Sequence, residues 1–161
     1  MNTYTILKTD ALGDLVLTAN ETELTGIYFA GRKHVPAALK DWKREPNHAV
    51  LKKAARELED FLNGKRKDFT VPLHAEGTDF QRKVWQQLAR IPFGQTITYG
   101  ELARRAGRPE AVRAAGAACG RNPHAIIIPC HRVVAKSGAL QGFAGGLETK
   151  KRLLAIEGVT S

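Results

Sequence analysis

Two helix starts are written into the second half of this chain, and they constrain its fold more than any other feature. Thr78-Asp79-Phe80-Gln81 and Thr98-Tyr99-Gly100-Glu101 each set a threonine three residues before a Gln or Glu. In such a capping box the threonine oxygen takes a first-turn amide and the longer side chain reaches back. The first helix predicted this way carries Phe80, Val84, Trp85, Leu88 and Ile91 on one face, and Pro92-Phe93-Gly94 stops it. The second is short and ends near Ala106. Gly107-Arg108-Pro109 is a break, and Pro109 suits the first turn of a further helix from about Glu110 to Cys119. Two short helices across a glycine turn predict a helix-turn-helix. A last amphipathic helix is predicted from Leu147 to Glu157, ended by Gly158.

The first half reads differently. Thr3 to Thr9, Leu15 to Ala19 and Leu24 to Ala30 are predicted strands, and their short connections favour an antiparallel meander. Gly31 to Asn47 reads mostly as loop, with a helical turn over 39–43. Asn47 is expected to cap a helix from His48 to Asn63, with Leu51, Ala54, Leu58, Phe61 and Leu62 on one face and Gly64 as its stop. Phe69 to Leu73 is expected as a short strand. Strands followed by helices indicate an α+β chain. Its expected parts are a small N-terminal α/β scaffold domain with an antiparallel sheet, residues 1–76, and a C-terminal helical domain, residues 77–161. His34, His48 and His74 are scattered and define no metal site in the first half.

Charge separates the halves again. Residues 1–76 hold 12 Lys/Arg and 11 Asp/Glu; residues 77–161 hold 13 and 5. A net of +8 in the second half suggests a polyanionic partner, nucleic acid first, against the plainer reading of a charged, soluble surface. No apolar run approaches the roughly 20 residues of a membrane span. The opening Met1-Asn2-Thr3-Tyr4 lacks a basic region followed by an apolar stretch, so a cytoplasmic protein is expected. Only Cys119 and Cys130 are present, which fits free thiols in a reducing compartment.

The chemistry concentrates in Ile128-Pro129-Cys130-His131-Arg132-Val133-Val134. The thiolate is the reactive form of cysteine, and an adjacent imidazole can take the proton or stabilise the anion. The plain alternative is a buried cysteine in a strand beside a solvated histidine. The helix before it is almost bare: Ala111, Ala114, Ala115, Gly116, Ala117 and Ala118 surround a lone Arg113. A helix with ordinary side chains is about 10–12 Å across, against about 6 Å for a B-form minor groove. So bare a helix suits either a widened minor groove or tight packing between neighbours, and both readings stand. Gly142-Phe143-Ala144-Gly145-Gly146 is glycine-rich, but the lysine and hydroxyl of a phosphate loop do not follow at the required spacing. Cys119 reads as a small packing residue. Cys119, His124, Cys130 and His131 lack the separated ligand pairs that tetrahedral zinc favours.

Residues 78–158 closely resemble the O6-alkylguanine-DNA alkyltransferases. The resemblance rests on Gly77-Thr78-Asp79-Phe80-Gln81, Ile91-Pro92-Phe93-Gly94, Thr98-Tyr99, Arg113-Ala114-Ala115-Gly116, Gly120-Arg121-Asn122-Pro123, Ile128 to Val134, Gly145-Gly146-Leu147 and Glu157-Gly158. The first half matches only in length and in its strand-then-helix order. The family implies a winged-helix character for the second domain and a single-use transfer. The alkyl group of O6-alkylguanine passes to the protein's own cysteine after the base is flipped out of duplex DNA. O4-alkylthymine is a candidate second substrate, and the sequence sets no preference between the two. Cys130 would be the acceptor, His131 its activator through a water, Glu157 the carboxylate orienting His131, and Asn122 the brace of the turn. Arg113 would be the finger that fills the gap in the stack, with Ala114, Gly116 and Arg121 beside it at the DNA. Tyr99, Val133, Phe143, Ala144, Gly145 and Lys150 would form the base pocket. No metal and no cofactor is implied, and a monomer on DNA is expected. Ala144 stands where some members carry serine. Cys130 itself argues against the non-repairing relatives, which lack the acceptor. The rivals are a module that senses alkylated DNA without repairing it, and a Cys-His hydrolase.

Overall fold

In the computed structural model, which describes residues 2–32, 35–137, 143 and 145–159, the chain divides into two compact units, Met1–Ala75 and Glu76–Ser161. The first is built on a four-stranded sheet in the order β3-β2-β1-β4. Strands β1 (Thr3–Thr9), β2 (Gly13–Ala19) and β3 (Leu24–Phe29) form the expected meander. Thr5 opposite Leu17 and Ile6 opposite Val16 set the β1–β2 register. β2 is buried from Leu15 to Ala19, and the hydroxyl of its Thr18 pairs with that of Thr25 at 2.8 Å. The two-residue β4 (Lys43–Arg44) adds to β1 in parallel. A strand that short carries no periodic signal, so the sequence pattern missed it.

Helix α1 (Ala49–Leu62) covers the sheet with Leu51, Ala54, Leu58 and Phe61, all fully buried at helical spacing. Its cap position is His48, without a side-chain hydrogen bond, and not the expected Asn47. The expected strand from Phe69 to Leu73 is absent too. Leu73 makes one isolated parallel bridge to Leu24. The segment's amides go elsewhere: those of Thr70 and Val71 donate to the Glu57 carboxylate at 2.9 and 3.1 Å, and Pro72 has no amide to give. The looked-for helical turn is a 3-10 helix over Ala37–Asp41.

The second unit is helical. Thr78 caps α2 (Asp79–Ala89) with both halves of the box formed. Trp85 of α2 donates its indole N–H to the Ala118 carbonyl at 2.8 Å. Thr98 caps α3 (Tyr99–Arg105), but only half of the second box forms, because the Glu101 carboxylate is taken by Arg104 and Arg105. The partner helix α4 spans Val112–Gly120. It starts later than expected, because Arg108 to Ala111 closes a turn through the Ala111 amide at 2.9 Å, leaving Pro109 outside the helix. A small parallel pair, β5 (Ile97–Thr98) with β6 (Val133–Val134), ties the start of α3 to the segment after Cys130. Helix α5 (Leu147–Ile156) buries Lys150, Leu153 and Leu154, and Gly158 follows with a positive φ.

Candidate active site

Cys130 lies in a single 3-10 turn, Cys130–Arg132, between the Asn122 turn and β6. Asn122 holds that approach at two points. Its side-chain amide donates to the Ile128 carbonyl at 2.7 Å, and its Oδ1 accepts from the His124 amide at 2.9 Å. Between those anchors Ile126 adopts φ +78, the one positive φ outside glycine among the described residues. A β-branched residue there is strained and persists only when its surroundings over-determine it. Ile126 is 1% exposed and sits inside the loop the Asn122 bonds close.

The residues around this turn form a buried polar chain. His131 Nε2 and Glu157 Oε2 are 2.6 Å apart. Glu157 also accepts from Arg132 Nε at 2.8 Å and from the Gly94 amide at 2.8 Å. Gly94 has φ +82, and a Cβ there would stand 3.3 Å from the Glu157 carbonyl oxygen, so glycine suits the position twice. Arg132 reaches on to the Ile91 carbonyl at 2.6 Å. His131 is fully buried, and its Nδ1 has no hydrogen-bond partner among the described residues. Burial pushes the His131 pKa down despite its carboxylate. Burial would raise Glu157, but hydrogen bonds from His131, Arg132 and the Gly94 amide outweigh it and hold the carboxyl low.

Cys130 lines a small pocket walled by Tyr99, Gly116, Asn122 and Phe143. Cys119, Gly120 and Ala125 complete the wall. The Cys130 thiol is held below its ordinary value, first by a hydrogen bond from Cys119, against burial, with help from Asn122 and the Lys150 charge. Lys150 is fully buried and donates to the Val133 carbonyl at 2.7 Å, its ammonium 5.9 Å from the Tyr99 ring centre. Burial lowers its pKa, against the pull of the two thiols. Burial and the nearby sulfurs push the Tyr99 phenol up to about 12, so its O–H remains a donor.

The expected site residues thus separate into three places. Cys130, Tyr99, Gly116, Asn122 and Phe143 share the pocket. His131, Glu157, Val133 and Lys150 are buried in the same unit, and Gly145 is buried as well. Arg113, Ala114 and Arg121 are exposed along α4, while Ala115, Ala118 and Cys119 of that helix are buried. Tight packing therefore accounts for the small residues of one face of α4, and the other face is exposed. Ala144 lies outside the described residues, as does Gly142 of the glycine-rich segment. Sequence reasoning gave no role to Arg132 or to the Gly94 amide, and it treated Cys119 as packing alone. The charge of Arg132 inside an apolar run was the available signal for the first.

A helix-turn-helix unit with a free thiol lining a pocket beside a buried His-Glu pair is the class that fold and site define. Comparison narrows it. Residues 79–159 match the 6-O-methylguanine DNA methyltransferase, DNA binding domain, and residues 2–75 match the ribonuclease-like domain of the same proteins. A methylated-DNA–protein-cysteine methyltransferase of Methanosarcina acetivorans is 43% identical over 147 residues, 91% of this chain and 93% of that protein. The constitutive one of Bacillus subtilis is 40% identical over 167 residues, 99% and 98% of the two chains. The Mycobacterium tuberculosis protein solved in complex with DNA superposes with a TM-score of 0.87 at 37% identity, covering 96% of this chain and 92% of that one. The chain belongs to the 6-O-methylguanine DNA methyltransferase family.

Proposed function

We propose that this protein reverses alkylation damage directly, moving the alkyl group of O6-alkylguanine in double-stranded DNA to its own Cys130. The reading rests on one observation above all: the Cys130 thiol, held low, lines a pocket in the unit that buries the His131–Glu157 pair, whose Nδ1 has no hydrogen-bond partner among the described residues. The DNA-binding and acceptor functions belong to residues 77–161, and residues 1–76 are scaffold. The exposed face of α4 enters the minor groove, with Ala114 and Gly116 leaving room and Arg121 near a phosphate. Arg113 fills the gap left by the flipped base and meets its orphaned partner.

In the pocket, His131 Nδ1 takes the Cys130 proton through one water, while Glu157 fixes the ring. The thiolate attacks the alkyl carbon. The carbon–oxygen bond breaks toward the base, which takes up a proton and is restored as guanine. Tyr99 donates to the leaving base. Main-chain groups of Val133 and Ala144 read its edge, Phe143 lines the pocket, and Gly145 and Lys150 back the base site. The thioether formed has no easy leaving group, so each molecule acts once. It does so as a monomer in the cytoplasm, and the same pocket takes O4-alkylthymine as its second substrate.

Intact-protein mass spectrometry after mixing with an O6-methylguanine oligonucleotide tests the reading. One methyl per protein is expected, on the peptide holding Cys130. Repeated turnover, or a methyl on Cys119 that survives Cys130→Ser, would overturn it.

A further inference from the structure

Cys119 borders the pocket beside Cys130, yet alkyl transfer assigns it no step. Its thiol is 3.8 Å from the Cys130 carbonyl oxygen, and both cysteines line the same pocket. Both thiols are free and buried. The backbone between them is pinned: the Asn122 amide donates to the Cys119 carbonyl at 3.3 Å, and the Asn122 side chain donates to the Ile128 carbonyl at 2.7 Å. A disulfide would set their sulfurs at roughly 2.05 Å across this pinned turn.

We propose that Cys119 and Cys130 form a reversible disulfide, Cys130 being the sulfur that a peroxide oxidises and Cys119 the thiol that resolves it. In the first step the Cys130 thiolate attacks one peroxide oxygen. The O–O bond breaks, hydroxide leaves, and Cys130 becomes a sulfenic acid, two electrons having passed from sulfur to peroxide. In the second step the Cys119 sulfur attacks the Cys130 sulfur. The S–O bond breaks, and the hydroxyl leaves as water with the Cys119 proton. A small thiol of the glutathione class restores both cysteines by exchange. The environment fits these unequal roles: the hydrogen bond that holds Cys130 low raises Cys119, with burial adding to the rise. The disulfide keeps an acceptor that works only once from the irreversible sulfinic and sulfonic states. That consequence rests on the function proposed above; the disulfide does not.

The test treats the reduced full chain with stoichiometric hydrogen peroxide, blocks remaining thiols, and maps peptides without reductant. The expected result is a Cys119–Cys130 linked peptide about 2 Da lighter than the two thiols, cleaved by dithiothreitol. Methyl uptake from an O6-methylguanine oligonucleotide should vanish on oxidation and return on reduction. In Cys119→Ala, checked for folding by circular dichroism, recoverable uptake should fall at least about tenfold as Cys130 passes to the sulfinic acid. Sulfinic Cys130 with a blockable Cys119 in the unsubstituted chain overturns the proposal, whether or not the variant folds. Equal recovery in both chains overturns it as well. Reduced protein that forms the disulfide but takes up no methyl counts against the proposed function and not against the disulfide.

Discussion

Glu57 and Glu157 are the two buried carboxylates among the described residues, one in each unit. In both, burial opposes the charge and hydrogen bonds outweigh it, so both carboxyls are held low. Their partners differ. Glu57 accepts from the Thr70 and Val71 amides and the Thr70 hydroxyl, with Lys53 and Arg66 within 3.8 Å. Its bonds pin 70–71 against α1. Glu157 has equally fixed partners in Gly94 and Arg132, but its third, His131, has a second ring nitrogen that is open. The two carboxylates therefore differ in one respect: a partner of Glu157 keeps a ring nitrogen without a hydrogen bond among the described residues. The surface repeats the contrast. Helix α1 shows the polar side of an ordinary amphipathic helix, with Lys52 exposed, whereas α4 shows Arg113 among alanines.

The largest expected effect lies on α4. A flipped base leaves a gap costing a few kcal/mol, which a guanidinium can fill and a methyl cannot. Arg113→Ala should slow repair of duplex DNA by about 100-fold, since each 1.36 kcal/mol is a factor of ten. It should barely change the reaction of Cys130 with free O6-benzylguanine, which needs no flipping. Equal losses on both substrates in a paired rate assay would return Arg113 to the fold or the thiolate.

Exchanging one oxygen in each carboxylate tests the comparison itself. Glu157→Gln should slow methyl transfer at saturating DNA by roughly 10- to 100-fold, the lower part of what positioned acid–base groups supply, with DNA affinity nearly kept. Glu57→Gln should cost about 1–3 kcal/mol of stability by leaving a buried donor unmatched, with the transfer rate of the folded protein unchanged. Single-turnover rates and urea unfolding on both variants measure the crossing. A slowed Glu57→Gln would erase the distinction.

DNA affinity should fall steeply with salt as phosphates release counterions, and its sensitive positions should lie in the second unit. Charge reversal at Arg121 is expected to weaken binding about tenfold, and reversal at Lys52 to change it by less than about twofold. Filter binding across a salt series decides. A stronger effect at Lys52 would contradict the assignment.

The smallest expected effect concerns acid. Both glutamates have lowered pKa values, so their stabilisation is present above the unfolded value of about 4.3 and lost as pH falls through the folded one. His131 is also lowered, by burial, so its unfolded form binds the proton first and stability starts to drop below about 6.5. Amide exchange, corrected for intrinsic rate, should show α5 losing protection at higher pH than α1. Coincident loss near pH 4 would mean that His131 contributes nothing to the second unit's acid sensitivity.

What the sequence determined by itself was local. Thr78 and Thr98 cap their helices because a cap involves residues three apart, and that spacing is visible in the chain. Leu51, Ala54, Leu58 and Phe61 mark the face of α1 for the same reason, and Pro129-Cys130-His131-Arg132 marks the chemistry because a family motif is contiguous. Tertiary structure decided whatever depends on partners distant in sequence. Residues 69–73 looked like a strand until Glu57, more than a dozen residues away, took their amides. Ile97 pairs with Val133 across the second unit, and the Gly94 amide meets Glu157 from 63 positions away. Cys119 stood in a run of small residues that read as packing. Only the fold of the Asn122 turn put its thiol beside Cys130, because which side chains share a cavity depends on how the backbone closes, and no periodicity encodes that.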